Sequence, residues 1–517
     1  MPLRPVVRAA AGLLTAAAVL GWVGPAQVAT AAPPEQARAG GGLAARGEAV
    51  ARRSATLSTA LRTALVSSGF DDLVDFGPVE GRCPAGGGCP DGAPAAQHPP
   101  TVDAAVIELD DAGRVTAVAN AVLSRDVPRG AVVEVGADLA SRSVRWHRWD
   151  DARWDGTTPW DAPWPDGDLL APAPAATLDV MSPYPGTLFA LVVAVQTLRL
   201  ADAGSLDLDA PYTYRLTGDR TCLEESFSAT ATTRDLLDRA VTSGDHAATC
   251  MLLAQLHERD AVGPMNAWLQ QVGLRTVHVD DTDPVTGGRW TPGRITMTAL
   301  DTARLLLLVR GAGGPLWDDA DGRPVRPDDV LSAGSRALLL RLLGEQGFDE
   351  ALSTTNWCGR PEVPRGIPHA VASRWVDPAH GTVTVGGVPY GQDVRPCNAA
   401  AQVTFAHKTA TTYTFGADAG IVDALPGRRG RHYVVAVLGT LGSRYADRRF
   451  ATSTALPCDT DTCFTGALAR LGAAVDAATG DRSEPAAGTT RRAPAAAGTP
   501  PARRSTAAPP PRLRRAR

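Results

Sequence analysis

The sequence is almost devoid of lysine: of its 51 basic residues a single one, Lys408, is a lysine, and all the others are arginine. Chemistry that needs two lysines side by side is therefore excluded. Arginine is no substitute, because its guanidinium is a planar fork that stays charged, whereas an ammonium is a compact charge whose pKa moves on burial. Glutamate is missing from a long interior stretch, with none between Glu258 and Glu345. After the N-terminal segment no apolar run reaches ~18 uninterrupted residues, so no later membrane-spanning helix is expected. The nine histidines show no spacing that would set metal ligands on one helix face, and Cys83-Pro-Ala-Gly-Gly-Gly-Cys89 has no second half. Neither a metal site nor a cofactor is expected.

What is present is a 517-residue chain, 44% apolar and 21% charged, long enough for one large domain or two. The charge is unevenly spread. The stretch from Gly480 onward carries +7 and the first 31 residues +2, which leaves −13 on residues 32–479 for a total of −4. An acidic body with a basic tail argues against nucleic acid as the ligand of the folded part. Arg4 and Arg8 precede the apolar run Ala9–Val23, and Ala29-Thr30-Ala31 supplies small residues for cleavage, the pattern of an export signal over residues 1–31. The protein is expected to be secreted, extracellular or cell-wall associated; the alternative is an uncleaved anchor. Eight cysteines in an exported chain favour disulfides. Cys83 with Cys89 and Cys458 with Cys463 are local pairs, and the other four pair most simply as 222–250 and 358–397, although spacing alone does not decide it.

In chain order, residues 35–45 read as a Gly/Ala/Arg-rich leader and 49–65 as an amphipathic helix. Residues 78–100 are a loop. Residues 104–109 and 115–122 flank the turn Asp110-Asp-Ala-Gly113 and predict a hairpin, with further strand character at 132–136 and 143–149. Trp146, Trp149, Trp154, Trp160 and Trp164 crowd five of the eleven tryptophans into nineteen residues. Large rings anchor irregular loops to a body, the favoured reading; the alternative is a stacking surface for sugars. Beyond Pro183 and Pro185 a helix apolar nearly all round runs from Thr187 to Asp202 and stops at Gly204, which predicts a buried helix. Its first turn offers unpaired N–H groups to a nucleophile at Thr187. Lys408 lies beside Thr409 on a strand-like run that continues into Asp418–Val422. Residues 477–517, rich in Pro, Ala and Arg, are expected to be a disordered basic tail. That tail is either a solvated extension or a tether to anionic wall polymers.

Over roughly 175–460 the sequence resembles the penicillin-recognising serine hydrolases, the class A β-lactamases and D-Ala-D-Ala peptidases, whose marks are S-x-x-K on a buried helix, S-D-N, and K-T-G on a strand. Counting back from Gly204 sets Thr187 at the nucleophile and Ala190 at the lysine position of the first motif. Asp245 matches the centre of S-D-N, with Gly244 and His246 as its neighbours and Ser243 one place early. Lys408-Thr409-Ala410 matches K-T-G. Thr232–Asp235, Met265–Leu274 and Ile295–Leu305 are also similar to the family. The resemblance implies an α+β fold, an antiparallel five-stranded sheet flanked by helices plus an all-helical subdomain. Domain boundaries are expected at 1–31, 32–174, 175–476 and 477–517, and the protein is expected to be a monomer.

The departures decide the expected chemistry. The family deprotonates its serine with the neighbouring lysine, or through water with a glutamate; here Ala190 has no amine and no glutamate is available. Asp280, Asp281 and Asp283 occupy the relevant loop only as approximate substitutes. Thr187 is more hindered than serine, and the proton-relaying serine is replaced by Gly244. General acid–base help is worth roughly 10²–10⁴-fold, or about 3–5 kcal/mol. The expectation is a pseudo-hydrolase that holds a peptidoglycan-like or β-lactam-like carboxylate on Lys408, Thr409, Ala410 and Thr411. The alternatives are a weak acyl-transfer enzyme using Thr187, Asp245, His246 and Lys408, and a non-catalytic wall-associated protein.

Overall fold

The computed structural model describes residues 34–77, 94–164, 169–171, 176–216, 222, 227–311, 314–360, 363–428, 430–447 and 465–480. The export signal, the Cys83–Cys89 and Cys458–Cys463 pairs and the tail beyond Gly480 lie outside these residues. The chain divides into two units, Met1–Arg52 and Arg53–Arg517. Helix α1 (Pro34–Ser67) begins one residue ahead of the stretch expected as a leader, takes in all of it, and has its residues from Arg53 onward in the second unit; in the first, Glu48 and Arg52 form an exposed ion pair at 3.4 Å.

The second unit is organised on one six-stranded antiparallel sheet: β1 (Val102–Leu109), β2 (Val115–Leu123), β3 (Ala131–Val133), β4 (Val403–Thr411), β5 (Gly416–Ala424) and β6 (His432–Gly439), in the order β4-β5-β6-β1-β2-β3. The expected α+β architecture of an antiparallel sheet flanked by helices is found, with six strands rather than five. The sixth is the short edge strand β3, which pairs three residues with β2. Tyr433–Gly439 pair with Val102–Glu108, so the strands before residue 174 and those after 403 share one sheet. The boundary expected at 174/175 passes between parts of a single core.

Alternation along the strands sorts the core into two layers, as the two-residue period of a strand requires. Ala105, Ile107 and Leu109 of β1, with Val434, Ala436 and Leu438 of β6, face the layer built on helix α2 (Ala190–Asp202). Ala104 and Val106, with Tyr433, Val435 and Val437, face Leu57, Leu61 and Leu65 of α1 and Leu468, Leu471 and Val475 of the last helix. Fully burying one such leucine contributes about 1.5–3 kcal/mol. Residues 190–198 of α2 are all buried, as its all-round apolar sequence requires. Around it, in the same apolar cluster, lie helices α3 (Thr233–Thr242), α4 (His246–His257), Val262–Gln271, α5 (Ala299–Arg310) and α6 (Ala333–Gly344). Thr232 caps α3 by accepting from the Asp235 N–H. Helix α7 (Thr465–Gly480) extends past the expected boundary at Asp476.

Cys222 is bonded to Cys250 and Cys358 to Cys397. The tryptophan-rich segment is an anchor. Trp146, Trp149 and Trp154 are buried and Trp160 and Trp164 pack against the main core. Trp164 stacks on His147 with centroids 3.9 Å apart, and the Arg153 guanidinium lies 4.0 Å from the centroid of the same indole.

Candidate functional site

Three segments converge on the sheet face that carries α2. The first is Gly186–Phe189, a turn of 3-10 helix ahead of α2. Gly186 is in the left-handed region (φ +55°), and a Cβ on it would lie 3.1 Å from the Cβ of Ala410. The turn therefore packs directly against β4, which only a residue without a side chain permits. Thr187, next along, is 7% exposed, and its hydroxyl has no hydrogen-bond partner among the described residues. Ala190, three residues on, is fully buried.

The second segment is the turn into α4. Asp245 is the N-cap: its carboxylate accepts from the Ala248 N–H at 2.9 Å and from the Arg239 guanidinium at 2.5 Å. Its work in the fold is to begin the helix and tie it to α3. Gly244 takes the left-handed conformation (φ +62°), and a Cβ there would sit 3.6 Å from Lys408 Nζ. The position matched to the S-D-N serine thus adjoins the lysine but carries no hydroxyl. His246 lies edge-on to Trp290 at 5.3 Å, and Phe189 meets the same indole at 5.0 Å, so one ring joins the α4 turn to the Thr187 turn. Burial holds the His246 pKa below the ordinary imidazole value; the Lys408 charge pushes the same way and Asp245 opposes it. His246 is consequently neutral at neutral pH.

The third segment is β4. Its alternation puts Phe405 and His407 on one face and Lys408 with Ala410 on the other. Lys408 is 1% exposed, and its ammonium donates to the Thr409 carbonyl. Burial brings its pKa down to about 8, with Asp418 partly offsetting the cost. Thr409 and Ala410 are buried beside it, and Thr411 ends the strand partly exposed.

The loop aspartates are engaged elsewhere. Asp283 accepts from the Val285 and Thr286 N–H groups and shapes its own turn. Asp281 pairs with Arg289 at 3.7 Å, and Asp280 accepts from Asn266 at 3.0 Å. The structure thus gathers Gly186–Phe189, Gly244–His246 and Lys408–Ala410, and assigns Asp245 a cap and an ion pair with Arg239.

Residues 186–367, which open with the Thr187 turn and include the Asp245 turn, match the family model for the beta-lactamase enzyme family. Over that segment the chain is similar to the beta-lactamase enzyme family. Lys408 and β4 lie beyond the matched residues. No curated protein matches the chain. Among solved structures, a class A beta-lactamase representative from Bacteroides cellulosilyticus DSM 14838 is 12% identical, over 74% of this chain and 92% of that one, with a TM-score of 0.39. A beta-lactamase from Chitinophaga pinensis DSM 2588 is 16% identical over 57% and 85%, with a TM-score of 0.35. A mutant of PBP-A, in an acyl-enzyme complex with penicillin G, is 16% identical over 58% and 84%, with a TM-score of 0.34.

The beta-lactamase-type segment also holds residues that sequence reasoning missed. Trp290 gave no signal, because a lone tryptophan in a polar loop reads as an anchor. Asp349 was invisible for another reason, its distance in sequence from the strand it meets, and the same holds for His369, just past the matched segment.

Proposed function

We propose that the protein is an exported, catalytically impaired homologue of β-lactamases and D-Ala-D-Ala peptidases. In this reading it binds a peptidoglycan-like or β-lactam-like carboxylate without turning it over efficiently. The observation that carries the reading is the pairing of a retained cation with missing bases. Lys408 is held beside the α4 turn with its ammonium buried. Position 190, where a lysine would deprotonate the Thr187 hydroxyl, is a buried alanine, and position 244 has no side chain to relay a proton. A buried ammonium attracts an anion strongly because little solvent screens it. A hydroxyl without a positioned base is a weak nucleophile at neutral pH.

The test is intact-mass measurement after incubation with penicillin or a chromogenic cephalosporin, alongside calorimetric titration with the same compounds and a D-Ala-D-Ala peptide. Binding without a mass increase supports the reading. A stoichiometric adduct on Thr187 overturns it.

One observation favours a second reading, a slow acyl transferase: His246 is neutral at neutral pH and lies close enough to Lys408 to feel its charge. A neutral imidazole accepts a proton. In that reading Thr187 attacks, His246 takes its proton, and Lys408 with Thr409 holds the substrate carboxylate. Turnover would then rise with pH as His246 deprotonates, and fall again as Lys408 loses its proton near pH 8.

A further inference from the structure

The face of β4 opposite Lys408 carries a second cluster. His407 projects from that face, Asp349 comes from the segment after α6, and His369 from the loop that precedes β4. All three side chains are buried, at 1%, 0% and 5% exposure. Their nearest nitrogen and oxygen atoms all lie within 4.8 Å of one another. Both imidazole Nε2 atoms approach the same oxygen, Asp349 Oδ1, each at 3.0 Å. Among the described residues the other carboxylate oxygen, Asp349 Oδ2, has no hydrogen-bond partner, and neither does His369 Nε2, whose approach to Oδ1 lacks hydrogen-bond geometry. Buried polar atoms left unpaired cost about 1–3 kcal/mol each. Their clustering at the point where three side chains converge is the observation that needs a cause.

We propose that Asp349, His369 and His407 form a binding site for a divalent transition-metal ion of the zinc class. Two imidazoles and one carboxylate are a three-ligand set for such an ion. Metal–ligand bonds of about 2.0–2.1 Å in a tetrahedron put neighbouring donors about 3.3 Å apart, close to the 3.0 Å separations seen here. The support behind the ligands also fits. His407 Nδ1 is hydrogen-bonded to Asp418 Oδ1 at 2.8 Å, and Asp418 Oδ2 is itself fixed by the Leu352 N–H at 3.0 Å. A carboxylate behind a ligating histidine sets its tautomer and aims its other nitrogen at the ion. Phe405 stacks on His407 at 4.0 Å and stops the ring from turning.

His369 also lines an open groove of about 510 Å³, together with Thr355, Arg360, Pro368 and Cys397. The groove brings solvent up to the His369 ring, the side from which an ion and a water for the fourth coordination position would have to enter. The ion would pin the Asp349 and His369 loops to β4. This inference is independent of the proposed function, because the two sites lie on opposite faces of the sheet. It departs from the expectation of no metal site: the ligands come from three separate segments, so no local spacing announces them.

The experiment uses the untagged full-length chain with its disulfides intact, stripped by chelation and titrated with Zn²⁺ and Co²⁺. Expected are one equivalent of Co²⁺ with the intense visible bands of a tetrahedral site, and a rise in Tm on adding Zn²⁺. H369Q should weaken binding at least tenfold, whereas H380Q, which alters the exposed His380–Asp377 pair, should leave it unchanged. No stoichiometric binding by the wild-type chain overturns the proposal, leaving an ionic Asp349–His407–Asp418 chain. Loss of binding in H380Q with retention in H369Q overturns it equally. If H369Q does not fold, the wild-type Co²⁺ spectrum decides, since octahedral weak bands would place the ion on surface carboxylates.

Discussion

Replacing Lys408 with methionine should make the protein more stable at pH 7, and the gain should shrink as the pH rises. The side chains have similar length and shape, so packing changes little, and what is removed is a buried charge. Burial lowers the Lys408 pKa from 10.5 to about 8. At about 1.4 kcal/mol per pH decade, the protonated amine therefore costs the fold about 3 kcal/mol at pH 7. The sign follows from linkage. Between pH 8 and 10.5 the unfolded chain binds more protons at this residue than the folded one, so wild-type stability recovers as pH rises through that window. Against this stands the hydrogen bond to the Thr409 carbonyl, worth about 1 kcal/mol. K408M should thus be about 2 kcal/mol more stable than wild type at pH 7. By about pH 9.5 the cost of the lysine falls to about 1.5 kcal/mol and the advantage should nearly vanish. Guanidinium unfolding of both proteins at the two pH values measures it, and taking the difference cancels the titrating groups that do not feel the Lys408 charge; His246, which does, is already neutral at both pH values. A variant less stable than wild type at pH 7, or a difference that does not move with pH, would refute the reasoning. The expected result would mark Lys408 as a residue kept at a cost to stability, as functional residues are.

Other predictions address the rest of the site. Thr187→Ser combined with Ala190→Lys should raise acylation by a chromogenic cephalosporin by about 10² or more, read by intact mass; no gain would count against Thr187 and Ala190 as the first-motif positions. Gly186→Ala should cost about 1–2 kcal/mol in chemical denaturation, because its positive φ disfavours a side chain and the new methyl meets Ala410; a neutral result would mean that the turn stands off β4. Asp245→Ala should cost roughly 1 kcal/mol through loss of the α4 cap, and a thermal melt unchanged from wild type would sink that assignment. Binding of a carboxylate ligand should weaken above pH 8 as Lys408 deprotonates; affinity that stays constant from neutral pH to well above the Lys408 pKa would remove Lys408 from the site.

Much of the fold was legible because its signals are local. The β1–β2 hairpin announced itself through two apolar runs around Asp110-Asp-Ala-Gly113, and α2 through an apolar sequence with no polar face. The two described disulfides were the simplest pairings. Less was legible where the outcome depended on which distant segments meet. The sixth strand is three residues long and owes its place to β2. Strand β1 joins β6 across more than half the chain, so a boundary near 174 looked natural in one dimension. At the site, Thr187, Gly244, His246 and Lys408 could be lined up from motif order. The cap role of Asp245 rests on Arg239 and Ala248 being where they are, and Trp290 enters only because a loop folds over the α4 turn.

The amino-acid sequence by itself determined which chemistry is absent. With one lysine, at position 408, and no glutamate between 258 and 345, no arrangement of this chain can supply a second lysine side chain to Thr187. Composition is conserved under folding, so an absent group stays absent. The tertiary structure alone decided what the remaining groups became. Only packing could bury the ammonium of Lys408 and lower its pKa, and only the alternation of β4 could turn His407 to the opposite face, where it meets Asp349, His369 and Asp418. Burial and proximity between distant segments are properties of the folded chain, and those two quantities govern the electrostatics of both sites.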